Sequence, residues 1–175
     1  FVDLSTQPWA ANVLDGIRPF VSYDGKMYAI PLLASGINLY ANMDLLAEVG
    51  VTTVPTDWPT FLDVLGKLKA AGHTPLSIPD KQGWGGAMTF LMMGATLVPS
   101  SWNDDFWNGT IKDFDAWLPV LNQMMELEAK GFIDWKSELG IDEFSQGLPN
   151  FEQGKTGFWV QGQWNLPDLN KQGMN

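Results

Sequence analysis

Short strand-forming segments alternate with helix-period segments along this chain, with glycine or proline between them, and that alternation constrains the fold more than any other feature. Tyr23 to Pro31 reads as a hairpin turning at Asp24-Gly25. Gly36 to Asn42 alternates apolar and polar residues and reads as a strand. Asp44 is then placed to cap a short helix that runs to Glu48 and stops at Gly50. Asp57 caps a second helix, with Pro59 in its first turn, where a missing N–H does no harm. Phe61, Leu65 and Leu68 recur there at helical spacing until Gly72. Pro75 to Ile78 is a short strand, Gly83-Trp84-Gly85-Gly86 a loop, and Ala87 to Val98 a helix apolar nearly all round, hence buried, stopped by Pro99. Ser100 to Gly109 reads as a polar, aromatic loop. Asp115 or a neighbour opens a long helix carrying Trp117, Leu121, Met124 and Met125 as far as Lys130-Gly131. Asp142 to Gln153 reads as a helix interrupted near Gly147, Thr156 to Val160 as a strand, and Gln161 to Trp164 as a turn into a last short helix. The class is therefore α/β, with a small sheet flanked by helices. No linker or repeat divides the sequence, so residues 1–175 read as a single domain.

Charge and residue type remove several function classes. Lys+Arg is 10 and Asp+Glu is 20, a formal net charge of −10, and the basic residues are scattered. A phosphate backbone repels such a surface, so nucleic acid and anionic membranes are unexpected partners. With no cysteine there is no disulfide, thiolate metal site or cysteine nucleophile, and the lone His73 excludes a multi-histidine metal site. No metal or cofactor is expected. No apolar run reaches bilayer length; the longest, Ala87 to Val98, is interrupted by Thr89, Gly94 and Thr96. The chain opens on Phe1 and shows no signal peptide, so it reads as a piece of a longer polypeptide.

Aromatic content carries the positive signal. Nine Trp, ten Phe and three Tyr make up 13% of the chain. A buried Trp needs a partner for its N–H, which makes it a demanding core filler. Several Trp beside Gly and Gln suit flat, half-apolar, hydroxyl-rich ligands, sugars first.

The order of the segments resembles the extracellular solute-binding proteins of ABC importers, family 1, the branch that includes maltose-binding protein. Asp24 to Pro31 resembles the family's D-G-K-x-Y-A-I-P segment. Leu39 to Leu46 resembles L-Y-Y-N-K-D-L-L, with Ala41 where Tyr is common and Met43 where Lys is common. Val54 to Phe61 resembles P-P-K-T-W-E-E-F, Phe151 to Trp159 resembles F-x-x-G-K-A-A-M, and Gln161 to Trp164 resembles the x-G-x-W turn. The likeness runs from about Tyr23 to Leu169. It implies a periplasmic-binding-protein-like type II lobe, with residues 23–169 as the second lobe of a two-lobed protein whose first lobe is missing here. It further implies a carbohydrate ligand, delivery to a membrane permease, a periplasmic or extracellular location and no enzymatic activity.

Trp164 is the leading candidate for a ligand contact, because it follows a glycine where a strand turns into a helix, the end at which α/β domains bind ligands. A pyranose lays its C–H face on an indole and keeps its hydroxyls free. Gln161, Gln163 and Asn165 surround it with amides that donate and accept at once, as hydroxyls require, although each alone reads equally as a solvated loop residue. Trp84 sits among glycines ahead of a helix N-terminus, and the family places aromatic ligand contacts in that loop; the alternative is surface packing. Ser35 follows a segment that the resemblance makes a lobe crossing beside the cleft.

The remaining chemistry-bearing groups read as structural. Asp104 and Asp105, between Trp102 and Trp107, read as a solvated turn rather than a catalytic or Ca²⁺ pair. Asp142-Glu143 reads as helix capping and dipole charge. His73 reads as a surface or packing residue, and Trp58, Phe61, Met92, Met93, Trp117, Met124 and Met125 as core. Two rival functions remain: a carbohydrate-active enzyme fragment using two carboxylates, and a binder of the same fold for a peptide, polyamine or metal chelate. No carboxylate sits in a recognisable catalytic motif, and the cleft loops carry Gln, Asn, Gly and Trp rather than the acids a polyamine needs. A single lobe is further expected to leave exposed edges that favour self-association.

Overall fold

A computed structural model describes residues 1–171. Where the sequence predicts one domain over residues 1–175, the chain forms two compact units, Phe1–Gly36 and Ile37–Asn175. The first has little apolar periodicity to build on. It holds short 3-10 turns and a hairpin of β1 (Ser22–Tyr23) and β2 (Lys26–Met27), paired antiparallel. Asp24 and Gly25 both take positive φ, 48° and 71°, as a tight two-residue hairpin turn requires. Only Ala10 and Met27 are buried hydrophobics there. The Arg18 guanidinium donates to the carbonyls of Ala10 and Val13 at 3.1 and 3.0 Å.

The second unit is built on a three-stranded mixed sheet in the order β3 (Ile37–Ala41), β5 (Thr156–Gly162), β4 (Thr74–Ser77). β3 runs antiparallel to β5, with Ile37 opposite Gly162, and β4 runs parallel to it. Eight helices complete the described chain: α1 (Met43–Glu48), α2 (Trp58–Ala70), α3 (Gly85–Leu97), α4 (Trp102–Trp107), α5 (Leu118–Ala129), α6 (Trp135–Glu138), α7 (Leu148–Glu152) and α8 (Leu166–Lys171). They cover both faces of the sheet, as the alternation predicts. Leu45 and Leu46 of α1, Val64, Leu65 and Leu68 of α2, and Leu127 of α5 close on Leu76, Phe158 and Val160. Leu46, Leu65 and Leu68 are fully buried, each stabilising by roughly 1.5–3 kcal/mol. On the opposite face, Trp159 packs with Phe151, Leu169, Tyr40 and Leu148.

Local signals explain most helix starts. Asp57 accepts from the Thr60 N–H at 2.9 Å and caps α2 as predicted. At α1 the cap is Asn42, not Asp44: the Asn42 side chain accepts from the Leu45 N–H at 3.2 Å, and Asp44 lies in the first turn, where its charge suits the dipole. The Trp58 indole donates to Glu126 at 2.9 Å and ties α2 to α5.

Other expectations are corrected. Ser100 to Gly109 contains α4, with Trp102 buried and stacked on Phe106, so the aromatic spacing there is helical. Asp104 and Asp105 stand in its first turn. Met125 is 67% exposed and is not core. On α3, Leu91 is 51% exposed, so that helix is covered on only part of its circumference among the described residues. No helix of the described residues is long and apolar enough to cross a membrane.

Candidate functional site

Because β4 and β5 are parallel, their carboxyl ends open at the same edge of the sheet, the edge at which α/β domains bind ligands. Each strand delivers one tryptophan there. Beyond β4, the chain turns at Gly83 (φ 78°) and reaches Trp84, the N-cap residue of α3. Gly85 is required at the next position, since a Cβ would run into the Pro79 carbonyl oxygen. Beyond β5, Gln163–Asn165 form a 3-10 turn. A Cβ on Gly162 would run into the Trp164 ring, so the indole lies directly on the glycine backbone. The Tyr40 hydroxyl donates to the Gly162 carbonyl at 3.1 Å and fixes the end of the strand.

The two indoles meet, with centroids 5.9 Å apart and planes at 54°. Trp164 is 43% exposed and Trp84 half-buried, so together they form an accessible aromatic surface. Of the flanking amides, Gln163 is exposed, whereas Gln161 and Asn165 are buried. The Gln161 Oε1 accepts from the Gly162 N–H at 2.7 Å. The Asn165 Nδ2 has no hydrogen-bond partner among the described residues. Ser35 lies in the N-terminal unit, in an exposed segment.

Two acids stand out that the sequence reading did not assign to the site. Asp142 caps as expected, accepting from the Phe144 and Ser145 N–H groups at 3.2 and 3.0 Å. The Ser145 N–H and hydroxyl, with Gln82 and Lys81, hold its carboxyl down at about 2. Glu143 is not a dipole charge at the surface. It is 3% exposed, and its Oε2 has no hydrogen-bond partner among the described residues. Burial pushes its pKa up and the Asp142 charge adds to the rise, while the Gln161 and Trp84 side chains act in the opposite direction. Glu138, at the end of α6, is also buried. Its Oε2 accepts from the Ser77 hydroxyl at 3.0 Å and the Ile78 N–H at 2.9 Å, tying α6 to the end of β4. Burial pushes its pKa up to about 7 against those two hydrogen bonds, with Asp134 and Asp80 adding to the rise. Residue type alone carried no signal for either acid; the only hint for Glu143 was its neighbour Asp142 taking the capping role.

The other candidates fall elsewhere. His73 pairs with Glu48 at 3.1 Å. Trp117 stacks on Phe90 and meets Trp102 edge-on, a packing role. No group of acids and histidines able to hold a metal ion occurs among the described residues. An apolar groove of about 320 Å³ lies over the opposite sheet face, lined by Leu39, Trp58, Phe61, Met92 and Val160 among others. Thr56, Asp57, Thr89, Thr96 and Gln123 add polar groups to those walls.

A family model of bacterial extracellular solute-binding proteins matches residues 1–175. The chain belongs to that family. A probable sugar-binding periplasmic protein of Mesorhizobium japonicum is 30% identical over 108 residues, covering 61% of this chain and 24% of the relative. A mannitol-binding protein of Pseudomonas aeruginosa is 24% identical over 155 residues, covering 85% of this chain and 34% of the relative. Among solved structures, a chitin oligosaccharide binding protein superposes with a TM-score of 0.75 at 28% identity, covering 85% of this chain and 37% of that one. The chain thus spans about a quarter to a third of the length of these curated relatives. The type II lobe architecture predicted from the sequence is the one these family members share.

Proposed function

We propose that this chain forms part of a carbohydrate-binding component of an ABC importer, with residues 23–169 as one lobe of a two-lobed binder. The observation that carries this reading is the Trp84–Trp164 pair at the shared end of β4 and β5. The exposed indole face takes the C–H face of a pyranose, and the exposed Gln163 answers the hydroxyls, while the buried Gln161 and Asn165 support the strand end instead of reaching the ligand. The protein binds its sugar without chemical change, outside the cell membrane, and hands it to a permease. That relatives bind sugars, mannitol and chitin oligosaccharide supports the ligand class. The short span of the chain relative to those proteins supports a second wall contributed by the rest of the polypeptide.

The test is calorimetric titration of neutral mono- and oligosaccharides into the intact protein, with a reducing-sugar assay alongside. Saturable binding with no new reducing ends is expected; release of reducing ends would replace this reading with the glycosidase one. Residues 1–175 alone should bind the same sugar far more weakly and tend to self-associate, since one wall leaves much of the ligand in water. Tight binding by a monomeric piece would overturn the two-walled site.

A further inference from the structure

The loop that carries Trp84 is tied at several points to one other segment. At the end of β4, the Ser77 hydroxyl and the Ile78 N–H donate to the Glu138 Oε2 at 3.0 and 2.9 Å. Further on, the Asp80 N–H donates to the Glu138 carbonyl at 3.0 Å and the Lys81 N–H to the Ile141 carbonyl at 3.2 Å. Side chains make the last tie: the Gln82 Nε2 donates to the Asp142 Oδ2 at 2.6 Å, with the Lys81 Nζ 4.0 Å from the same oxygen. Residues 77–82 and 138–142 thus run side by side, and Trp84 stands just beyond the last tie. On its other side, the Gly85 backbone sits so close to the Pro79 carbonyl that no Cβ fits between them. The Trp84 backbone is therefore held between the strapped loop and the start of α3.

The Asp142 carboxylate divides its oxygens between two tasks. Its Oδ1 accepts from the Phe144 and Ser145 N–H groups and from the Ser145 hydroxyl, and so caps the π-helical turn Glu143–Gly147. Its Oδ2 accepts from Gln82. Asn caps a helix as well as Asp does, but it brings one acceptor oxygen where a carboxylate brings two. Capping alone leaves the second oxygen unexplained. We propose that Asp142 is a positioning residue of the sugar site: through Gln82 it holds the loop that sets Trp84 against Trp164, and sugar affinity depends on that tie. This deepens the sugar-binding reading above and rests on it. A stacking wall has to keep its place to within about 0.5 Å and 10–20°. A loop that turns at Gly83, with φ 78° next to Trp84, has the backbone freedom to lose that place. A hydrogen bond to an ionised acceptor is of the stronger kind and removes that freedom one residue before the turn.

The experiment uses the intact protein and exchanges the partners of the tie. Gln82→Glu sets a second carboxylate against Asp142, so repulsion replaces the bond. Gln82 is exposed, so the fold should be kept, with a urea midpoint close to that of the unaltered protein. Without sugar, the Trp84 indole N–H signal in NMR, identified by its loss in Trp84→Phe, should move. With a neutral sugar, calorimetry should show affinity falling about tenfold, the loss expected for one charge-assisted hydrogen bond. Adding Asp142→Asn to Gln82→Glu turns the bond round: the new amide donates to the new carboxylate, and its oxygen still caps the turn. The paired variant should return the Trp84 signal and most of the affinity, a rescue that a general loss of stability would not give. An unmoved Trp84 signal with normal affinity in Gln82→Glu overturns the proposal and leaves the sugar reading standing. A loss that the paired variant fails to recover does the same. Should Gln82→Glu not fold, Gln82→Ala removes the donor without adding charge, and a normal Trp84 signal and affinity there overturn the proposal equally. A Trp84 signal that moves and is rescued in a protein that binds no neutral sugar overturns the sugar reading, and with it the affinity half of this proposal.

Discussion

On one face of β5, Phe158 and Val160 press into aliphatic side chains of α1, α2 and α5; on the other, Trp159 meets Tyr40 and Phe151, and two residues further on Gln161 lies beside Glu143. The strand is buried throughout, so both faces are removed from water equally. They differ in what is left over. The first face brings together hydrocarbon that needs nothing but close packing. The second keeps polar atoms out of water without partners among the described residues: the Trp159 Nε1, the Glu143 Oε2 and the Asn165 Nδ2. Each such atom costs about 1–3 kcal/mol relative to a satisfied one, and costs of that kind collect where a protein has another use for the group. The aliphatic face therefore holds the fold, and the polar face, toward the carboxyl end of β5, carries the proposed site.

The sharpest way to break this division is to truncate one residue on the aliphatic face. Phe158→Ala removes a side chain that is 1% exposed and should lower stability by about 3–5 kcal/mol. Urea unfolding would show it as a lower midpoint at unchanged slope. Sugar affinity of the folded protein should stay as it was. A loss of affinity at unchanged stability would mean that the two faces are not separate in function.

A second, smaller effect tests the buried acids. Folding raises the Glu138 pKa from 4.5 to about 7. Below the lower value both folded and unfolded chains carry the proton, and the acid does no harm. Between the two values the unfolded chain has lost its proton and the folded chain keeps it, so stability falls as pH rises. The accumulated loss is on the order of 3 kcal/mol above the folded value. Glu138→Gln keeps an acceptor for Ser77 and Ile78 and should flatten this dependence. A wild-type protein whose unfolding midpoint rises with pH over that window would contradict the assignment.

The same contrast explains what was legible in the sequence. Features set by neighbours in the chain were readable: the Asp24-Gly25 turn, the Asp57 cap, and the glycine ahead of Trp164 all act within a few residues. Asn42 displaced Asp44 as a cap because two good capping residues lay two positions apart, and only the backbone path chose between them. The Trp102–Trp107 helix was hidden by its polar residues, since its aromatic face packs against distant Trp117 and Phe114. The meeting of Trp84 and Trp164 could be expected because each tryptophan sits beside a glycine at a strand end. The burial of Glu143 could not. Glu143 and Asp142 are adjacent acids at one helix start; Asp142 faces the turn it caps, whereas the Glu143 side chain is buried by residues distant in the chain.

The smallest effect is the one that bears on function most directly. Trp164→Ala removes an indole that is 43% exposed, so the stability lost should be only about 1 kcal/mol. Its role as a stacking surface predicts a loss of about 2 kcal/mol in sugar binding, the size expected of a central aromatic anchor and close to thirtyfold in affinity. Gly162→Ala separates the presence of the ring from its placement. The added methyl occupies the space where the indole now lies, so Trp164 must swing away while remaining in the chain. If the ring acts by stacking in this one orientation, Gly162→Ala should weaken sugar binding nearly as much as Trp164→Ala. Calorimetry on both variants decides between them. An unchanged affinity in Trp164→Ala would remove the indole from the site, and a normal Gly162→Ala would show that its seat on the strand end is not what makes it bind.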